Sequence, residues 1–117
     1  MPQTLQIKLN EPNTEKDYQV VKFIGEFDKA GHLDIREQLD KLVQDFKFKN
    51  MVFDFTELKF INIESIGYLM EIHTHLVKRE KALVLVGPDL HVKDVLKTIG
   101  ISEVIPMYDT LEAYLNK

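Results

Sequence analysis

The chain has 117 residues, 44% of them hydrophobic and 29% charged, with a formal charge of −4 and no cysteine. This length fits one domain, residues 1–117, whose core needs no metal or disulfide, and the composition is that of a folded soluble protein. The acidic balance leaves no basic stripe for phosphates, which argues against direct nucleic-acid binding, and the missing cysteines exclude disulfides, thiol catalysis and thiolate metal sites.

No run approaches the roughly 18 consecutive apolar residues of a membrane helix, so no membrane insertion is expected. The amino terminus MPQTLQIKLN lacks a basic start followed by an apolar stretch. No signal peptide is read there, and a cytoplasmic protein is expected.

Leu5, Ile7 and Leu9 alternate with Gln6 and Lys8, the pattern of a half-buried edge strand. Glu11 to Asp17 reads as a hairpin turn, and Tyr18 to Ile24 as a second strand closed by Gly25. Glu26-Phe27-Asp28 is expected to be a loop, with Asp28 near the start of a helix, where its charge suits the exposed amides. Ile35, Leu39, Leu42, Val43 and Phe46 then form one stripe of a helix running from Lys29 or Ala30 to Asp45. Its other face, with Arg36, Glu37, Asp40, Lys41 and Gln44, reads as solvated.

Met51-Val52-Phe53 is a short buried strand ending at Asp54, and Thr56 and Glu57 read as a turn. Leu58 to Ile61 returns the chain to the core, and Asn62 stands as a helix cap. A second helix follows from Ile63 to about Glu80, with Ile66, Leu69, Met70, His73, Leu76 and Val77 on its apolar stripe. Ala82 to Val86 lacks alternation, as a strand buried on both faces should. Asp89 caps a third helix carrying Val92, Val95, Leu96 and Ile99, and Gly100 ends it. Val104-Ile105 reads as a fifth strand ended by Pro106, and Thr110 starts a short last helix. The order predicts an α/β fold: a mixed sheet of about five strands with helices mostly packed on one face.

These segments together resemble a STAS domain, the family of bacterial anti-sigma factor antagonists and related modules. Gly25-Glu26-Phe27-Asp28 is similar to the family's Gly-Glu-Leu-Asp, and Val52-Phe53-Asp54-Phe55 to its Val-Leu-Asp-Leu strand. Phe60 to Gly67 falls on the family's Phe-Met-Asp-Ser-Ser/Thr-Gly-Leu-Gly, and Ile99-Gly100-Ile101 with Val104-Ile105 on its third helix and last strand. The likeness covers essentially the whole chain, in order.

The resemblance implies a binding module whose serine, directly after the aspartate, is phosphorylated by a partner that is both kinase and anti-sigma factor. Phosphorylation there adds close to two negative charges at an interface. Here Asn62 matches the aspartate and Ile63 the serine, and isoleucine has no hydroxyl. Glu64 matches the second Ser/Thr, and Ser65 the glycine.

Three readings follow. The protein docks on an anti-sigma factor, a histidine-kinase-type ATPase or a related regulator without a serine switch; or Ser65 takes over as phosphoacceptor; or the domain has left sigma regulation and is a scaffold subunit of another assembly, transport-associated or stress-signalling, or a small-ligand module. The first is preferred, because two residues rotate a side chain by about 200° around a helix and so displace Ser65 from the expected position. The expected partner surface is Asn62, Ile63, Glu64, Ser65 and Asp28. Plainer roles stand beside each: Asn62 and Asp28 as caps, Glu64 as a dipole partner, Ile63 as a structural residue if covered.

An enzyme is not expected. His73 and His75 are two apart on one helix and cannot form an i, i+4 metal pair, and His73 falls on the apolar stripe as a satisfied core histidine. No nucleophile elbow, P-loop or dinucleotide loop is present. Neither a cofactor nor a metal is expected.

Overall fold

The computed structural model describes residues 3–117; residues 1–2 of the expected 1–117 domain lie outside the described residues. The strands are β1 (Leu5–Leu9), β2 (Tyr18–Phe27), β3 (Asn50–Ile61), β4 (Ala82–Val86) and β5 (Met107–Tyr108). The helices are α1 (Lys29–Gln44), α2 (Ile63–Lys78), α3 (Leu90–Ile99) and α4 (Leu111–Leu115). The sheet order is β1-β2-β3-β4-β5; β1 is antiparallel to β2 and the remaining pairs are parallel. This is the expected mixed α/β sheet.

Alternation along the central strands divides the core. Val21, Phe23, Met51, Phe53, Leu83 and Leu85 face the main core with α1, α2 and α3. Val20, Val52, Val84 and Val86 face the other way, where Tyr114 of α4 covers them. Three helices therefore share one face, and a single helix of five residues closes the other. Among the described residues no helix is long and apolar enough to cross a membrane.

Five expectations change. β2 does not stop at Gly25: that glycine has φ +121 and the strand continues to Phe27. The turn expected at Thr56-Glu57 is part of one twelve-residue strand. Pairing with β2 shifts register between Lys22 and Ile24 and again between Gly25 and Glu26, so β3 carries the extra residues as bulges. Asp54 Oδ1 accepts from the Thr56 amide at 2.9 Å, a local bond that imitates a turn.

Val104-Ile105 is not the fifth strand. Gly100, with φ +90, turns the chain into a 3-10 turn over Ile101–Glu103. The amides of Val104 and Ile105 both donate to the Ile101 carbonyl, which keeps them coiled. Pairing with β4 begins only where the Leu85 amide meets the Pro106 carbonyl, at 2.9 Å.

The buried face of α2 is also rotated from the expected stripe. It carries Ser65, Ile66, Tyr68, Leu69, Ile72 and Leu76, while Val77 is half exposed, because α2 packs against α1 as well as the sheet. His73 is not a satisfied core histidine: it is half-buried and its Nδ1 has no hydrogen-bond partner among the described residues.

Candidate partner-docking site

The parallel strands β2 and β3 end side by side, Phe27 opposite Ile61, and each leads directly into a helix. Asp28 caps α1 by accepting from the Gly31 amide at 2.8 Å, and Asn62 caps α2 by accepting from the Ser65 amide at 2.8 Å. Both residues have extended backbone, which frees the side chain to reach the orphan amide two or three residues on. The Asn62 amide donates to the Phe27 carbonyl at 3.1 Å and locks the two junctions together. Asp89 caps α3 in the same way at the end of β4. Three helix N-termini thus open at one end of the sheet, the end where α/β folds commonly bind partners and ligands.

The expected residues separate sharply in depth. Ile63 is 74% exposed, and Glu64 beside it is also exposed. Asn62 and Asp28 are half-buried, their carboxyl and amide oxygens engaged as caps. Ser65 is fully buried, and its hydroxyl donates to the Phe27 carbonyl at 2.8 Å. It offers no surface to a partner and no free hydroxyl to a kinase in this structure. The junction therefore presents Ile63 and Glu64 outward and holds Ser65 inward.

Ile63 borders an open groove against α3, floored by Val95 and Ile99 and edged by His91, Asp94 and Thr98. Ile99 is 44% exposed, so the junction and α3 share a continuous apolar strip. Glu64 lies in the first turn of α2, where a carboxylate is favoured by the helix dipole.

One cluster beside the junction was not expected from sequence. The His32 ring lies 4.4 Å from the Tyr68 ring, and the Arg36 guanidinium stands 5.0 Å from the same ring. The Tyr68 hydroxyl donates to Asp40, and Arg36 meets His32 Nε2 at 3.3 Å. Burial and the bond to Asp40 push the Tyr68 phenol well above its ordinary range. Burial, then the neighbouring Arg36 charge, lowers the His32 imidazole. The available signal was the spacing of His32, Arg36 and Asp40 at four-residue intervals, one ridge of α1 on which Arg36 and Asp40 were expected to be solvated. Among the described residues no group of three or more acidic or histidine side chains could hold a metal ion.

Residues 11–114 match the STAS domain family. The fold is similar to that of an anti-sigma factor antagonist from Mycobacterium paratuberculosis, with a TM-score of 0.83 and 18% identity over 99% of this chain and 95% of that one. It is also similar to the Bacillus cell fate determinant SpoIIAA in the phosphorylated form, with a TM-score of 0.68 and 17% identity over 95% and 97% of the two chains. A sulfate transporter family protein from Wolinella succinogenes gives a TM-score of 0.72 and 16% identity over 85% and 82%. No curated protein sequence matches. At these identities the solved structures establish the shared fold, while the family match spans nearly the whole chain and includes both capped junctions. The chain belongs to the STAS domain family and has an anti-sigma factor antagonist-like fold.

Proposed function

We propose that this STAS domain is a regulatory binding module that docks on a kinase-like anti-sigma factor or a related regulator, without a serine-phosphorylation switch. One observation carries the reading: Ile63, which the motif resemblance aligns with the family's phosphoacceptor, has a side chain 74% exposed at the start of α2. An exposed β-branched side chain beside a partly open apolar groove gives a partner an anchor to bury. Glu64 adds a fixed negative charge to the same surface and favours a basic residue opposite. Asn62 and Asp28 contribute by holding the junction rigid, and Ser65 contributes only internal support.

The burial of Ser65 weighs against a switch displaced to that position. A phosphate carries close to two charges, and adding it there would require the first turn of α2 to leave the core. Binding, not catalysis, is the activity assigned to this surface.

The test is affinity capture from the source cell with wild type beside Ile63→Asp, followed by mass spectrometry of partners. Retention of a kinase-like ATPase by wild type and its loss by the variant is the expected result. Equal recovery by both proteins would remove Ile63 from the docking surface. Recovery of membrane-transport components instead would replace the antagonist reading with a scaffold role.

A further inference from the structure

The opposite end of the sheet carries a second feature, formed by the last turn of α1, the segment after it and the start of β2. Leu42 and Phe48 are half-buried and Phe46 is buried; the two phenylalanine rings meet edge-on with centroids 5.8 Å apart. They wall a cleft of about 350 Å³ whose mouth carries Lys41, Lys47 and Asp45. This volume lies at the small end of the range for ligand pockets, roughly 300–1,000 Å³.

Charge distinguishes this cleft from the rest of an acidic chain. A helix C-terminus is normally a negative end, because its last carbonyls are unpaired. Here Arg79 donates to the carbonyls of Val43 and Phe46, each at 2.8 Å, and Lys81 donates to that of Phe48 at 2.7 Å. Arg79 therefore answers the negative end of α1, and Lys81 holds the segment after it. Lys41 and Lys47 are exposed and make no ion pair among the described residues. With Arg79 and Lys81 close behind, they outnumber the single carboxylate of Asp45 and leave positive charge in excess at an apolar cleft.

We propose that this cleft binds a small amphiphile with an apolar body and one anionic head group. The body lies on Leu42, Phe46 and Phe48, and the head faces Lys41 and Lys47. The excess of positive charge sets a preference for an anionic ligand over its neutral counterpart, and the small volume selects a ring or short chain rather than a protein segment.

The test uses the full chain and two probes with the same apolar body: anilinonaphthalene sulfonate, and phenylnaphthylamine, which lacks the sulfonate. Fluorescence titration is paired with amide chemical-shift mapping. Saturable one-to-one binding of the sulfonate is expected, with shifts centred on Leu42, Phe46 and Phe48. The double variant Lys41→Glu/Lys47→Glu is expected to weaken the sulfonate about tenfold and leave the neutral probe within about twofold. Gln38→Trp, at the exposed edge of the cleft, is expected to weaken both probes by closing it. All three positions are exposed, and an unchanged urea midpoint verifies that the variants fold. Unsaturable binding, equal sulfonate affinity in the charge-reversed variant, or shifts centred on Ile63 and Ile99 would each overturn the proposal. The cleft and Ile63 lie at opposite ends of β3, so a failure of binding at the cleft leaves the docking surface untested by it, while shifts at Ile63 and Ile99 would place the probe on that surface instead.

Discussion

Ser65 Oγ donates to the carbonyl of Phe27 at 2.8 Å, across 38 residues of sequence, and so fastens the first turn of α2 to the end of β2. The same carbonyl accepts from the Asn62 amide, so it keeps one partner if the hydroxyl is removed. Ser65→Ala is therefore expected to cost about 1 kcal/mol, the net value of one buried hydrogen bond. Ser65→Asp places an unpaired charge where relative exposure is zero and is expected to cost more than about 3 kcal/mol. Urea titrations of both variants measure this, and an Asp variant as stable as the Ala variant would mean that the first turn opens easily.

Ile63 behaves oppositely because its side chain stands in solvent. Ile63→Ser and Ile63→Asp are both expected to leave stability within about 0.5 kcal/mol, so any loss of partner binding reports on the surface itself. Ile63→Ser places a hydroxyl at the exposed helix start. Incubated with the captured partner and ATP, this variant should gain one phosphate at residue 63, while wild type gains none at Ser65. Phosphate on wild-type Ser65 would revive the displaced switch.

Two glycines in helices make contrasting predictions. A Cβ at Gly31 would overlap the Glu26 carbonyl and press on Leu5, where α1 passes close over β1 and β2. Gly31→Ala is expected to destabilise by about 1–3 kcal/mol. Gly67 has nothing within 4 Å of such an atom, so Gly67→Ala should stabilise by about 0.5–1 kcal/mol through the helix preference of alanine. Thermal denaturation of the pair in one buffer decides both signs.

Stability should also depend on pH through His32. Its imidazole is held below the ordinary 6.5 by burial first and by the Arg36 charge second. Between that lowered value and 6.5 the unfolded chain binds the proton and the folded one does not, so the contribution is complete above 6.5 and is lost as pH falls through this window. Urea midpoints of wild type and His32→Gln measured from pH 7.5 to pH 5 test the point (both values near the range where histidine titrates). Wild type should lose more than the variant; parallel curves would place the acid sensitivity elsewhere.

The sequence by itself determined the order of elements, their caps and the sheet face on which most helices lie. These are local properties: Asn62, Asp28 and Asp89 cap because of their own side chains and the amides two or three residues on, and Gly100 ends α3 through its own φ of +90. The family pattern, too, was legible in short motifs spread along the chain.

Depth and long-range pairing were decided only by the tertiary structure. Ser65 lies four residues before Leu69 on the inner ridge of α2, but whether that ridge reaches the first turn depends on where β2 ends. β3 runs unbroken through Thr56 and Glu57 because β2 accommodates its bulges, a relation between two strands rather than a property of either. β5 starts at Met107 because Leu85 meets the Pro106 carbonyl, while Ile101 keeps the preceding residues coiled. Side-chain type records what a residue prefers locally; burial and register depend on neighbours distant in the chain, and those neighbours make Ile63 the exposed residue and Ser65 the internal one.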